Sequence, residues 1–236
     1  MLTRLVYLNS CHKATGPDGI PGMLLKTAAA EIAPIFRIIF NASLSQNKIP
    51  DDWRDAHVSP LFKKGDRNKP SNYRPVSLTS ISCKIFEHIL FSNIMKHFDE
   101  HNIITDYQHG FRKSRSCESQ LLLTVQDIAK GLDEGKQIDA ILLDFSKAFD
   151  KVPHARLLTK LDYYGVRGNT LGWIRDFLGN RTQKVILEGT LMNLLHLEFH
   201  KVQYSVHFYF WLLLMTCPAK FHQHQDYLQT IAYCTE

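Results

Sequence analysis

In the stretch AILLDFSKAFDKVPH, Ala140 to His154, an apolar run ends in an acid, Asp144, and a second acid, Asp150, follows six residues later. Ile141, Leu142 and Leu143, flanked by Ala140 and Phe145, have the continuous apolar pattern of a strand shielded on both faces. A carboxylate at the end of such a strand is costly to bury unless a positive charge meets it. One solution is a divalent cation held by strand-end carboxylates, as in metal-dependent phosphoryl transfer, where such ions usually act in pairs. The other is an Asp that caps the following turn or helix. Taken alone, the position favours the cap.

The elements that must position this acid are mixed. Residues 22 to 46 read as helical, with Pro21 as a preset first turn and Pro34 expected to break the segment into two pieces. Ile81, Ile85, Phe86, Ile89, Leu90 and Ile94 mark an amphipathic helix. A third helix is expected from about Glu118 to Leu132 on Leu121, Leu122, Val125, Ile128 and Leu132, with Gly135 as its stop signal. After the Asp144 strand come a helix opening near Pro153, another built on Leu171, Ile174, Phe177 and Leu178, and a strand from Gln183 to Leu187. Helices and strands without strict βαβ alternation point to an α+β architecture.

The 236 residues are enough to bury a real core, as one large domain or two small lobes. The net charge of +5 suits a polyanionic partner without requiring one. More telling is the crowding of basic residues into Lys63 to Arg74 and Arg112 to Arg115, although a charge run is usually a solvated face. The five cysteines have no CxxC spacing and form no framework, which argues for reduced thiols. MLTRLVYL at the start is too short for a signal-peptide core, and Phe208 to Met215 is far shorter than the ~20 residues needed to cross a bilayer. The expectation is a nuclear or cytoplasmic chain, neither secreted nor membrane-spanning.

DFSKAFDKV resembles the first carboxylate motif of reverse transcriptases, in particular those of LINE-type (non-LTR) retrotransposons. The resemblance extends upstream through HKATGPDGIP (His12 to Pro21), VSPLFKKGDRNKPSNYRPVSLTS (Val58 to Ser80), KIFEHIL (Lys84 to Leu90) and QHGFRKSRSC (Gln108 to Cys117), and downstream to LGWIRDFLGNRTQKV (Leu171 to Val185). Order and spacing together make it specific over about the first four fifths of the chain. It implies an RNA-directed DNA polymerase shaped like a right hand. Residues 1–135 would be a fingers-like region with palm-packing helices, and 136–190 a partial palm carrying the first carboxylate motif.

The resemblance also implies roles. Asp144 matches the palm carboxylate that bridges two Mg²⁺ ions, with the Phe145 carbonyl as a further ligand. Phe149 matches the bulky residue that disfavours a ribose 2′-hydroxyl; a core aromatic is the plain alternative. Asp150 is no metal ligand in this family and fits a structural or capping role. Lys63 or Lys64, with Arg74, match the cations that grip a deoxynucleoside triphosphate, for which a guanidinium fork is suited. Gly110, Phe111, Arg112 and Arg115 fall in a segment expected near RNA template and DNA primer. The GPDG turn, Gly16 to Gly19, reads as structural.

After Gly189 the sequence changes character. All twelve glycines lie at or before Gly189, and the remaining tail carries a single proline, Pro218, so it lacks turn punctuation. It also lacks the Pro-Gln-Gly turn and paired aspartates that the family should carry next. Joining the third base of each codon to the first two of the next restores them. Leu197 to Met215 then permits GVPQGTVLGPLLFLVIIN, and Met215 to Glu236 permits DLPSKVSSTSRLFADDCLLYR. The Met215/Thr216 junction admits only Asp. Residues 191–236 are therefore expected to be a frameshifted, non-homologous tail, and the chain to be catalytically defective. The alternative is a non-catalytic remnant that still binds nucleic acid.

Overall fold

The computed structural model describes residues 14–110, 112–139, 141–142, 152–187, 190–192 and 230–231. The helices are α1 (Gly22–Thr27), α2 (Ala29–Gln46), α3 (Ile81–Glu100), α4 (Cys117–Asp133), α5 (His154–Tyr163) and α6 (Gly168–Leu178); the strands are β1 (Asp55–Phe62), β2 (Tyr73–Leu78), β3 (Ile141–Leu142), β4 (Thr182–Leu187), β5 (Thr190–Met192) and β6 (Thr230–Ile231). The main sheet has the order β2-β1-β4-β5. β1 pairs antiparallel with β2, parallel with β4, and β4 antiparallel with β5. β3 and β6 form a separate parallel pair. The mixed composition agrees with an α+β fold.

Helix α3 is the spine. Its residues Ile81, Ile85, Phe86, Leu90, Ile94 and Phe98 recur at helical spacing and are all buried. A ladder of rings crosses it: Phe36 stacks on Phe40 at 5.3 Å, Phe40 on Phe86 at 4.6 Å, Phe86 meets Trp173 edge-on at 5.0 Å, and Trp173 stacks on Phe177 at 5.0 Å. Trp53 lies beside both Phe40 and Phe86. These rings come from α2, the short 3₁₀ turn Asp51–Trp53, α3 and α6, so one cluster locks four segments. Both indoles find acceptors: Trp53 Nε1 donates to Ser82 Oγ and Trp173 Nε1 to Ser43 Oγ, each at 2.9 Å. Buried Trp requires such a partner.

The GPDG turn is tied to this spine. Ser80 Oγ donates to Asp18 Oδ2 at 2.6 Å and lies 2.7 Å from Ser82 Oγ, extending the hydroxyl chain that begins at Trp53. A Cβ on Gly16 would come within 2.6 Å of the Ser80 nitrogen and the Thr79 carbonyl carbon, so only glycine lets the turn seat against the start of α3. The structural reading of this turn agrees with the geometry.

A second clamp sets β1 against the end of α6. Arg54 Nη2 meets Asp176 Oδ2 at 2.8 Å, and the same oxygen accepts the Ile49 N–H at 2.8 Å. Arg181 Nη2 donates to the Trp53 carbonyl, and the Thr182 N–H to the Arg54 carbonyl. These bonds fix the parallel pairing of β4 with β1.

Three expectations change. The break in the first helical segment falls at Ala28 (φ −100°, ψ 29°), while Pro34 sits inside α2. The buried face of α2, with Ala33, Phe36 and Phe40, carries the helix through the proline despite the lost hydrogen bond. Helix α4 forms as expected, but its apolar stripe is exposed: Leu121, Leu122, Val125 and Leu132 are 47, 70, 54 and 60 % accessible. Finally, β1, β2, β5 and β6 have no counterpart among the expected elements. Truncating Phe86 to Ala should remove the centre of the ring ladder and cost about 3–5 kcal/mol of unfolding free energy, read from urea denaturation of the two chains.

Candidate nucleic-acid and nucleotide interface

The β1–β2 hairpin carries the cations expected to meet phosphate. Phe62 opposes Tyr73 and Leu61 opposes Arg74 across the ladder. The Phe62 and Tyr73 rings meet edge-on at 5.5 Å, and the Arg67 guanidinium lies 4.9 Å from the Phe62 ring centroid. The connecting loop is held by its own polar groups: Lys63 N–H donates to the Asn72 carbonyl, Asn68 N–H to Asp66 Oδ1, Asn72 Nδ2 to the Asp66 carbonyl and Tyr73 OH to the Arg67 carbonyl. Gly65, at φ +92°, makes the sharp turn.

Lys63, Lys64, Arg67, Lys69 and Arg74 are all exposed around this tip. Strand alternation, carried one residue past Phe62, puts Lys63 on the same hairpin face as Leu61 and Arg74 and Lys64 on the other. Among the described residues, neither lysine nor Arg74 makes an ion pair, which leaves their donors open to an anion.

The segment around Gly110 is built differently. Arg112 Nη1 donates to the Thr105 carbonyl at 3.0 Å, and Nη2 lies 3.5 Å from Asp99 Oδ1. Arg115 Nη2 meets Asp106 Oδ1 at 2.7 Å, and Nη1 donates to the Asp106 carbonyl and to His109 Nε2. Both guanidinium groups are thus turned inward, organising the loop between α3 and α4. Because arginine only donates, His109 Nε2 is the acceptor and Nδ1 carries the proton towards Ser119 Oγ at 2.7 Å. Ser119 belongs to the capping box of α4: its N–H donates to Ser116 Oγ, and its hydroxyl accepts the Ser116 N–H.

His109 is the hub that sequence reasoning missed; a lone histidine ahead of two arginines carries no spacing signal. It is only 5 % exposed. Burial, then the charges of Arg115 and Arg112, hold its pKa below the usual value. The hairpin, by contrast, had a legible signal. Gly65, Asp66, Asn68, Pro70 and Asn72 form a turn-rich cluster between two runs containing Val58 to Phe62 and Tyr73 to Leu78.

Asp144, Phe145, Phe149, Asp150 and Phe111 lie outside the described residues, so the expected metal ligand, the aromatic beside the sugar and one template-side residue have no geometry here. Among the described residues no group of three His, Cys, Asp or Glu side chains could hold a metal ion. Beyond Asp144 the sequence has no two adjacent acidic residues. The described residues therefore offer no carboxylate set for two Mg²⁺ ions. Of the described cysteines, Cys83 is buried and free, its thiol pushed well up by burial and by Glu87, and Cys117 is exposed and free. No helix among the described residues is long and apolar enough to cross a membrane.

The pKa of His109 has a stability consequence. The folded chain keeps the ring neutral, while the unfolded chain protonates it near 6.5. Above that pH the contribution is fully present. As pH falls through 6.5 towards the lower folded value, the unfolded state takes up the proton first and stability declines. Urea midpoints between pH 7.5 and 5 should fall more steeply for this chain than for a His109→Gln variant.

Comparison with known proteins supplies the wider frame. The family described as "Reverse transcriptase (RNA-dependent DNA polymerase)" matches residues 62–210. The protein named "Probable RNA-directed DNA polymerase from transposon BS" of Drosophila melanogaster is 29% identical over 161 residues, covering 65% of this chain and 18% of that protein. Its counterpart from transposon X-element, also of Drosophila melanogaster, is 28% identical over 161 residues, 68% of this chain and 18% of its own length. The Pol polyprotein from the type-1 retrotransposable element R1 of Bradysia coprophila is 26% identical over 172 residues, 72% of this chain and 17% of that protein. The chain thus spans less than a fifth of the length of these relatives. With the family's match covering more than half of its residues, this chain belongs to the reverse transcriptases of non-LTR retrotransposons.

Proposed function

We propose that this chain is the fingers and partial palm of a retroelement RNA-directed DNA polymerase, severed from catalysis by a change of reading phase. The observation that carries the reading is the absence of any adjacent acidic pair after Asp144. One carboxylate cannot fix the geometry of two hard cations, and orientation and charge stabilisation supply most of phosphoryl-transfer catalysis. In the division we favour, residues 1–135 are the fingers-like region, 136–190 the partial palm and 191–236 the out-of-phase tail.

The codon argument supports the tail. Codons formed from one third base and the next two first bases start one nucleotide ahead of those now read, which corresponds to net loss of a single nucleotide between the codons for Gly189 and Leu197. The family match enters this tail, running to residue 210, and ends ahead of the Gln229 to Ile231 codons whose other phase permits Asp-Asp.

What this chain's own residues do is bind. In our reading Lys63, which shares a hairpin face with Arg74, is the lysine that meets a triphosphate or a backbone phosphate; Lys64 is the alternative. Arg112 and Arg115 shape the Gly110 segment from beneath, and template and primer are held largely through the hairpin cations. Phosphate contacts of this kind are strongly salt-dependent and largely indifferent to sequence. Asp144, the Phe145 carbonyl and Phe149 keep the roles the resemblance implies for a nucleotide site.

Two measurements test this. Primer extension with Mg²⁺ and deoxynucleoside triphosphates on an RNA template should give no product above an Asp144→Asn control; extension that the substitution abolishes would refute the defect. Retention on RNA–DNA primer–template should persist and weaken with salt, and Lys63→Ala or Arg74→Ala should each reduce the log–log salt slope by about 1. Retention unaffected by both substitutions would remove the hairpin from the interface.

A further inference from the structure

Helix α3 ends on two histidines one turn apart, His97 inside its last turn and His101 directly after Glu100. Residues four apart share a helix face, and here the two rings lie together, their centroids 4.2 Å apart and their planes inclined at 46°. His97 is half-buried and His101 exposed. Each ring is oriented by a backbone carbonyl. His97 Nε2 lies 2.8 Å from the oxygen of Tyr164, just past α5, and His101 Nδ1 lies 2.8 Å from the oxygen of His97. The turn after α5 lets the His97 ring come close because it is glycine: a Cβ on Gly165, at φ +89°, would lie 3.0 Å from Nε2.

A carbonyl only accepts, so both of these ring nitrogens carry a proton. His97 is therefore the Nε2–H tautomer and His101 the Nδ1–H tautomer, which leaves lone pairs on His97 Nδ1 and His101 Nε2. A histidine that ligates a metal characteristically donates its other ring N–H to a carbonyl or carboxylate, which fixes its orientation. Both rings of this pair already do so. The basic side chains nearby are matched by carboxylates, Lys96 by Glu100 at 3.6 Å and Arg112 by Asp99 at 3.5 Å, so an arriving cation meets little net repulsion. Imidazole nitrogen suits first-row transition metals, whereas Mg²⁺ prefers oxygen.

We propose that His97 Nδ1 and His101 Nε2 form a two-imidazole site for a divalent first-row transition-metal cation, with water in its remaining positions. No third His, Cys, Asp or Glu completes the set among the described residues, so the site is open and exchangeable. A bound ion holds the His97 ring in the orientation that meets Tyr164, and so tightens the junction between the α3 spine and the turn after α5. The site uses neither the hairpin cations nor Asp144, and its test is independent of the polymerase reading.

The full, untagged chain is titrated with CuCl₂ and, separately, with MgCl₂ near neutral pH, and followed by nitrogen-15 NMR of amides and imidazoles. Cu²⁺ is the probe because it binds nitrogen sites more tightly than Ni²⁺ or Zn²⁺. Before metal is added, the imidazole spectra should show the Nε2–H tautomer at His97 and the Nδ1–H tautomer at His101. Substoichiometric Cu²⁺ should broaden the amides of Phe98 to Asn102 paramagnetically, and Mg²⁺ should leave them unchanged. His101→Gln, a change at an exposed residue, should raise the Cu²⁺ concentration needed for this local broadening by at least about tenfold. ZnCl₂ should raise the thermal midpoint of the unaltered chain more than that of the variant. The opposite tautomer at either ring, broadening confined to other histidines, or local broadening that His101→Gln leaves unchanged would each overturn the proposal. If the variant does not fold, the tautomers and the position of the broadening in the unaltered chain decide alone.

Discussion

The structure depends on burying one ladder of aromatic rings. Phe36, Phe40, Phe86, Trp173 and Phe177 stack in sequence, with Trp53 alongside, and they belong to segments as distant in the chain as α2 and α6. Each ring removes a large apolar surface from water, and stacked or edge-on geometry adds to that gain. The two indole N–H groups are the polar cost of the arrangement, and Ser82 and Ser43 meet it. Because Trp53 immediately precedes Arg54 and β1, the ladder also fixes where the hairpin leaves the core. The cationic tip around Lys63 and Arg74 therefore projects from a rigid base.

Arginine does two kinds of work in this fold. Arg54, Arg112, Arg115 and Arg181 turn inward, donating to carbonyls and carboxylates: Arg54 and Arg181 join elements far apart in sequence, and Arg112 and Arg115 brace the loop ahead of α4. A planar fork with several donors suits such joints. Arg67 and Arg74 instead stay at the surface with Lys63, Lys64 and Lys69. A count of basic residues treats these two populations alike; only the second is free to attract a polyanion. The inward pair near Gly110 is bound up with buried His109 and the α4 capping box, so charge, loop shape and helix start depend on one another there.

Membership of the reverse transcriptase family makes the incomplete parts informative. A polymerase palm needs carboxylates converging from separate elements and apolar faces that cover one another. In this sequence no two acidic residues adjoin after Asp144, and α4 presents an apolar face with little against it among the described residues.

Much was determined by sequence alone. The helical spacing of Ile81, Ile85, Phe86, Leu90 and Ile94 gave α3, that of Leu171, Ile174, Phe177 and Leu178 gave α6, and the ordered motifs gave the family, since local periodicity and motif spacing are written along the chain. Tertiary structure decided the rest. Pro34 continues a helix because a buried face outweighs one lost hydrogen bond. Arg112 and Arg115 point inward because Asp99 and Asp106 stand within reach, a proximity no local pattern encodes. The stripe of α4 looks like a core face in sequence and is exposed among the described residues, because an amphipathic pattern does not say which surface, if any, lies against it.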